Sequence, residues 1–108
     1  KGEKMAQGDL TKEEEYDRIE VVQKWNIQVR KSVKVMEEQA DGSKKELSRR
    51  FYRNTYTPYL SGKNPDGSWT HRETDISGFD ATVKSVCNAI WTDDIKTAFK
   101  AFRETQPN

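Results

Sequence analysis

The sequence predicts an all-α fold of about four helices, with a long N-terminal helix and an irregular loop or small β-hairpin between helices 2 and 3. Two kinds of observation predict it. Apolar residues recur three and four apart over long stretches, the period of a helix face. Residues of the N-capping type also stand before each stretch, at Thr11 with Glu14, Ser43 with Glu46, Ser77 with Asp80, and Thr92 before two aspartates.

Residues 1–10 are polar and aperiodic and read as a flexible lead-in; residues 11–106 read as a single helical domain. The first helix is drawn by Tyr16, Ile19, Val22, Trp25, Val29, Val33 and Met36, with Asp41 and Gly42 as its stop. At 1.5 Å per residue it would extend about 42 Å, more than a compact domain spans, so one end is expected to project or be covered by another chain. A second helix opens near Lys44, presents Leu47 and Phe51 to the core, and must end before Pro58. Between Thr55 and Thr74 the run Asn64, Pro65, Asp66, Gly67 is a strong turn signal. A third helix carries Phe79, Val83, Val86, Cys87 and Ile90 on one face, and a fourth carries Trp91, Ile95, Ala98, Phe99 and Phe102. The expected core sets Trp25, Val29 and Val33 against Phe51, Val83, Val86, Ile90, Phe99 and Phe102.

Of the 108 residues, 32% are hydrophobic and 34% charged, so burial has to come from narrow stripes enriched in aromatic rings. A net charge of +1 argues against a purely electrostatic binder of nucleic acid or membrane. The charge is nevertheless blocked. Asp9, Glu13, Glu14, Glu15, Asp17 and Glu20 dominate residues 9–20, whereas Lys44, Lys45, Arg49, Arg50 and Arg53 dominate 44–53. Such blocks either pair within the fold or form two surfaces of opposite sign. The single cysteine excludes an internal disulfide and a cysteine-based zinc site, which points to an intracellular setting, cytoplasm or nucleus. There is no apolar run long enough for a membrane span, and the start at Lys1 suggests a domain of a larger protein.

As a helix, the second element would place Lys45, Arg49 and Arg53 on one stripe, with Arg50, Tyr52 and Tyr56 beside it. Guanidinium forks suit phosphate oxygens and phenol rings can stack on bases, so this stripe is the candidate nucleic-acid site, for DNA or RNA. The same stripe can equally be a solvated face. A secondary contact loop collects Lys63, Trp69, His71 and Arg72. Ile19, Val22, Asn26, Val29, Val33 and Met36 also approximate heptad spacing, with Asn26 in register, which raises a possible homodimer through the first helix.

Catalysis is not expected: one histidine is a thin inventory, Cys87 lies on an apolar stripe, and Asp93 and Asp94 are accounted for by helix capping. No metal or cofactor is expected. Residues 91–99, WTDDIKTAF, resemble the opening helix of Myb- or TEA-type DNA-binding domains, but the two helices that follow there have no counterpart before Asn108. Two functional expectations follow: a non-catalytic nucleic-acid-binding module, or a protein-interaction or assembly domain of a larger protein.

Overall fold

A computed structural model of the chain describes residues 7–107. It shows a mixed α/β architecture rather than an all-α one: strands β1 (Leu10–Val22), β2 (Asn26–Glu38), β3 (Lys44–Tyr56), β4 (Tyr59–Lys63) and β5 (Trp69–Glu73) are followed by helices α1 (Ala81–Ile90) and α2 (Asp93–Glu104). The first three strands form a sheet of order β1-β2-β3, and the last two form a separate hairpin. The described residues fall into two compact units, one within Lys1–Arg18 and Arg30–Arg53, the other within Ile19–Val29 and Asn54–Asn108. Of the lead-in expected over 1–10, residues 1–6 lie outside the described residues. The Gly8 amide donates to the Glu38 carbonyl at 2.9 Å, and Leu10 opens β1.

The expected first helix is thus a pair of strands. Its three- and four-residue period is broken by the turn at residues 23–25, where Gln23 and Lys24 both adopt positive φ, 57° and 76°. A link this short joins the strands antiparallel. In β2 a second pattern prevails over the helical one: Ile27, Val29, Val33 and Val35 are β-branched and two residues apart or a multiple of two, as on one face of a strand. Asn26 is no register-setting core residue. It opens β2, and its amide donates to the Gln23 side chain at 3.3 Å, so the proposed helical homodimer has no helix to form through.

The expected second helix is β3. Gly42, at φ 89°, closes a turn in which the Asp41 carboxylate accepts from the Ser43 amide at 2.9 Å and from its hydroxyl at 2.6 Å, so Asp41 and Gly42 reverse the chain into a strand. The β4–β5 hairpin repeats this chemistry with Asp66, Gly67 (φ 92°) and Ser68, and pairs Tyr59 with Glu73 through Lys63 with Trp69. It occupies the place expected for a loop or small hairpin.

Both C-terminal helices form where their patterns lie. Thr92 caps α2, its hydroxyl accepting from the Ile95 amide. Asp80, not Ser77, caps α1, its carboxylate accepting from the Thr82 and Val83 amides. The buried apolar residues Ile27, Val29, Val83, Cys87, Trp91 and Phe99 all belong to the second unit. There the Trp91 indole donates to the Trp25 carbonyl at 2.8 Å, and Trp25 meets Phe99 edge-on and Phe102 at a tilt. Of the expected core, Phe51 and Phe102 are instead exposed, at 41% and 43%. In the first unit Ser32 is the one buried residue among those described.

Candidate interaction surface

β3 is an edge strand, and every residue from Lys44 to Thr55 is exposed. Alternation in a strand reassigns the residues that a helix would have gathered. Lys45, Arg49 and Arg53 still share a face, because four is an even spacing, but they share it with Leu47 and Phe51. Arg50, Tyr52 and Tyr56 fall on the other. The expected interleaving of the three spaced cations with the tyrosines is therefore absent, and the rings set among those cations are Phe51 and not the phenols.

Two guanidinium groups converge on Phe51. Arg30, from β2, lies 4.5 Å from the ring centre, and Arg49 lies 5.9 Å from it. Each is held by a carboxylate: Arg30 by Asp17 of β1 at 2.9 and 3.0 Å, and Arg49 by Glu46 at 3.0 and 2.8 Å. The bonds from Arg30 and from Arg49 hold the Asp17 and Glu46 carboxyls below their ordinary pKa values. Lys44 pairs with Glu13 at 3.6 Å, and Lys31 with Glu14 at 3.3 Å, so much of the acidic block is engaged within the sheet. By contrast, the side chains of Lys45, Arg50 and Arg53 have no partner among the described residues. Tyr52 is 47% exposed beside Arg50. Tyr56 belongs to the second unit, where its ring packs against Phe79 at 4.4 Å.

The secondary group is a hairpin rather than a loop. Trp69 and His71, two apart on β5, face one side, while Arg72 faces the other, paired across the hairpin with the exposed Leu60. His71 is a hub with a 9% exposed side chain: Nδ1 shares a proton with the Ser61 hydroxyl at 2.7 Å, and Nε2 meets Glu104 of α2 at 2.7 Å. Its ring stacks on Trp69, which Arg103 covers at 5.2 Å, and Tyr59 abuts it edge-on. These residues fasten the hairpin to α2, so Trp69 and His71 are committed inward. Lys63 and Arg72 remain exposed.

Asp17, Arg30 and Phe51 as a group, and Ser61, His71 and Glu104 as a chain, are not apparent from the helical periodicity of the sequence. The first could have been found once a turn was placed at residues 23–25, because Asp17 and Arg30 then face each other across it. Nothing in the spacing signals the second, whose members are 10 and 33 residues apart. Among the described residues no group of three or more metal-ligating side chains is gathered, and no helix is long and apolar enough to cross a membrane. Compared with known proteins, the chain matches no family model, no curated protein and no solved structure.

Proposed function

We propose that the chain is a non-catalytic protein-interaction module that accepts an acidic, extended segment of a partner along β3. The observation that carries this is the state of that strand: 13 residues without glycine or proline, open at one edge among the described residues, with Lys45, Arg50 and Arg53 unpaired among those residues beside exposed Leu47, Phe51 and Tyr52. An edge strand presents outward backbone amides and carbonyls at every second residue, about six here, ready to pair with a further strand. Lysine and arginine on such an edge repel basic chains and admit acidic ones, and the apolar side chains between them add contact area. The buried free thiol of Cys87 accords with an intracellular setting, cytoplasm or nucleus.

A second reading rests on Arg50 and Tyr52, a guanidinium with no partner among the described residues next to an exposed phenol on one face, which suits a phosphate and an unstacked base. One experiment separates the two. Amide resonances of the full chain are followed while adding either a synthetic peptide alternating glutamate with valine and threonine, or a single-stranded oligonucleotide. Peptide-induced shifts confined to β3 and abolished in Arg50→Glu/Arg53→Glu support the first reading. Shifts from the oligonucleotide alone, with a logarithmic salt slope of about −2 for three neutralised phosphates, transfer the surface to nucleic acid. No shift from either removes β3 as a binding surface.

A further inference from the structure

The two outer strands of the three-stranded sheet carry opposite charge. β1 holds five acidic residues, Glu13, Glu14, Glu15, Asp17 and Glu20, against Lys12 and Arg18; β3 holds five basic residues against Glu46 alone. The central strand is nearly balanced, with Arg30, Lys31 and Lys34 against Glu37 and Glu38. Each outer strand has a single strand neighbour among the described residues, and neither is interrupted by glycine or proline. Charges on an edge normally protect it, because identical edges of two copies repel. Here that protection is selective. Glu13, Glu14 and Asp17 are ion-paired within the chain, yet each outer strand keeps its net sign, so two β3 edges or two β1 edges repel, whereas β1 of one copy and β3 of another attract.

We propose that the partner segment accepted by β3 is β1 of a second copy of this chain, so that the sheet continues from copy to copy in head-to-tail order. The proposal rests on β3 being a strand-accepting edge and names its occupant. Pairing of equal length favours it, since both strands run for 13 residues. So does the scarcity of burial in the first unit, where Ser32 alone is buried among the described residues: a sheet that covers so little of itself gains from added strands. Because the contact joins unlike edges, each copy keeps one edge of each kind for the next, and the row grows or closes into a ring. A two-fold dimer through like edges is disfavoured by the same charges.

The test is sedimentation of the full chain over a concentration series, with two charge-reversed forms, Glu13→Lys/Glu15→Lys on β1 and Arg50→Glu/Arg53→Glu on β3. Far-ultraviolet circular dichroism checks that each form folds. For the unaltered chain the mean mass is expected to rise with concentration, and the association constant to fall at least about tenfold between about 50 mM and about 500 mM salt. Each reversed form alone loses the attraction and stays monomeric, because Glu13→Lys/Glu15→Lys turns β1 from net −3 to +1 beside a β3 of +4, and Arg50→Glu/Arg53→Glu brings β3 to net zero beside a β1 of −3. Their equimolar mixture restores one −3 edge facing one +4 edge and assembles. Monomeric mass at every concentration, or assembly retained in either reversed form alone, overturns the proposal. If the unaltered chain stays monomeric while the glutamate-alternating peptide still shifts β3, the strand-accepting edge stands and only its occupant is refuted. If neither the peptide nor a second copy engages β3, both readings fall together.

Discussion

Arg30 grips both carboxylate oxygens of Asp17, at 2.9 and 3.0 Å, from the neighbouring strand across the β1–β2 turn. A planar fork fits a carboxylate in two parallel bonds, and no lysine reproduces it. The pair also sets the Arg30 guanidinium over the Phe51 ring, which extends the contact to β3. Because the Asp17 pKa is lowered in the folded chain, chiefly by its hydrogen bond to Arg30, its contribution to stability is present above the unfolded aspartate value. It is lost as pH falls through the folded one. Asp17→Asn should therefore lower the urea midpoint at neutral pH and converge with the unaltered protein in acid. A gap that persists undiminished in acid would show that the carboxylate charge is not what the pair contributes.

Three of the turns separate what could be read in the sequence from what could not. Asp66-Gly67-Ser68 and Asp41-Gly42-Ser43 form the same turn, with positive-φ glycine and a carboxylate bonded to the following serine. In the sequence the first signals a turn because Asn64 and Pro65 precede it, whereas the second signals a helix stop because a helical period runs up to it. At Gln23 and Lys24 the chain reverses with neither glycine nor asparagine, so no local chemistry announced the turn. With that turn hidden, apolar residues of two strands merged into one apparent helix stripe. The C-terminal helices were legible because Val83, Cys87, Trp91 and Phe99 satisfy helical spacing and are in fact buried. The candidate cations Lys45, Arg49, Arg50 and Arg53 all lie on β3, but their division between two faces depends on the strand and does not follow from a helical period.

The backbone at these turns predicts mutational effects of opposite sign. A side chain held at positive φ costs about 1 kcal/mol relative to glycine. Lys24→Gly is expected to raise stability by up to about 1 kcal/mol, offset in part by the freer unfolded chain. Gly42→Ala, where the added methyl meets open space but φ is 89°, should lower it by about 1 kcal/mol. Urea titrations with unchanged slopes would read both; equal signs would contradict the turn geometry.

Cys87 has no exposed surface, and burial pushes its thiol pKa up, so little thiolate forms at neutral pH. Alkylation by iodoacetamide should be slow in the folded chain and should accelerate with denaturant in parallel with unfolding of the second unit. Cys87→Ser, which places a hydroxyl among Val83, Trp91 and their neighbours, is expected to cost about 1–3 kcal/mol. Rapid labelling of the native protein would mean that this core opens far more often than its burial implies.

His71 joins two kinds of interaction that substitution can part. His71→Phe keeps a ring between Trp69 and Tyr59 but loses the bonds to Ser61 and Glu104; His71→Ala loses both. If stacking dominates, Phe should retain most of the stability and Ala should lose more than about 2 kcal/mol. If the hydrogen bonds dominate, the two variants should fall together, because Ser61 and Glu104 lose the same partner in each. Glu104 is 47% exposed at its side chain, so water can replace its bond at little cost, whereas the ring faces have no comparable substitute. The expected order is therefore histidine, then phenylalanine, then alanine, with amide exchange of Thr70 to Arg72 quickening in the same sequence. Exchange that quickens equally in both variants would instead assign the fastening of β5 to its two hydrogen bonds.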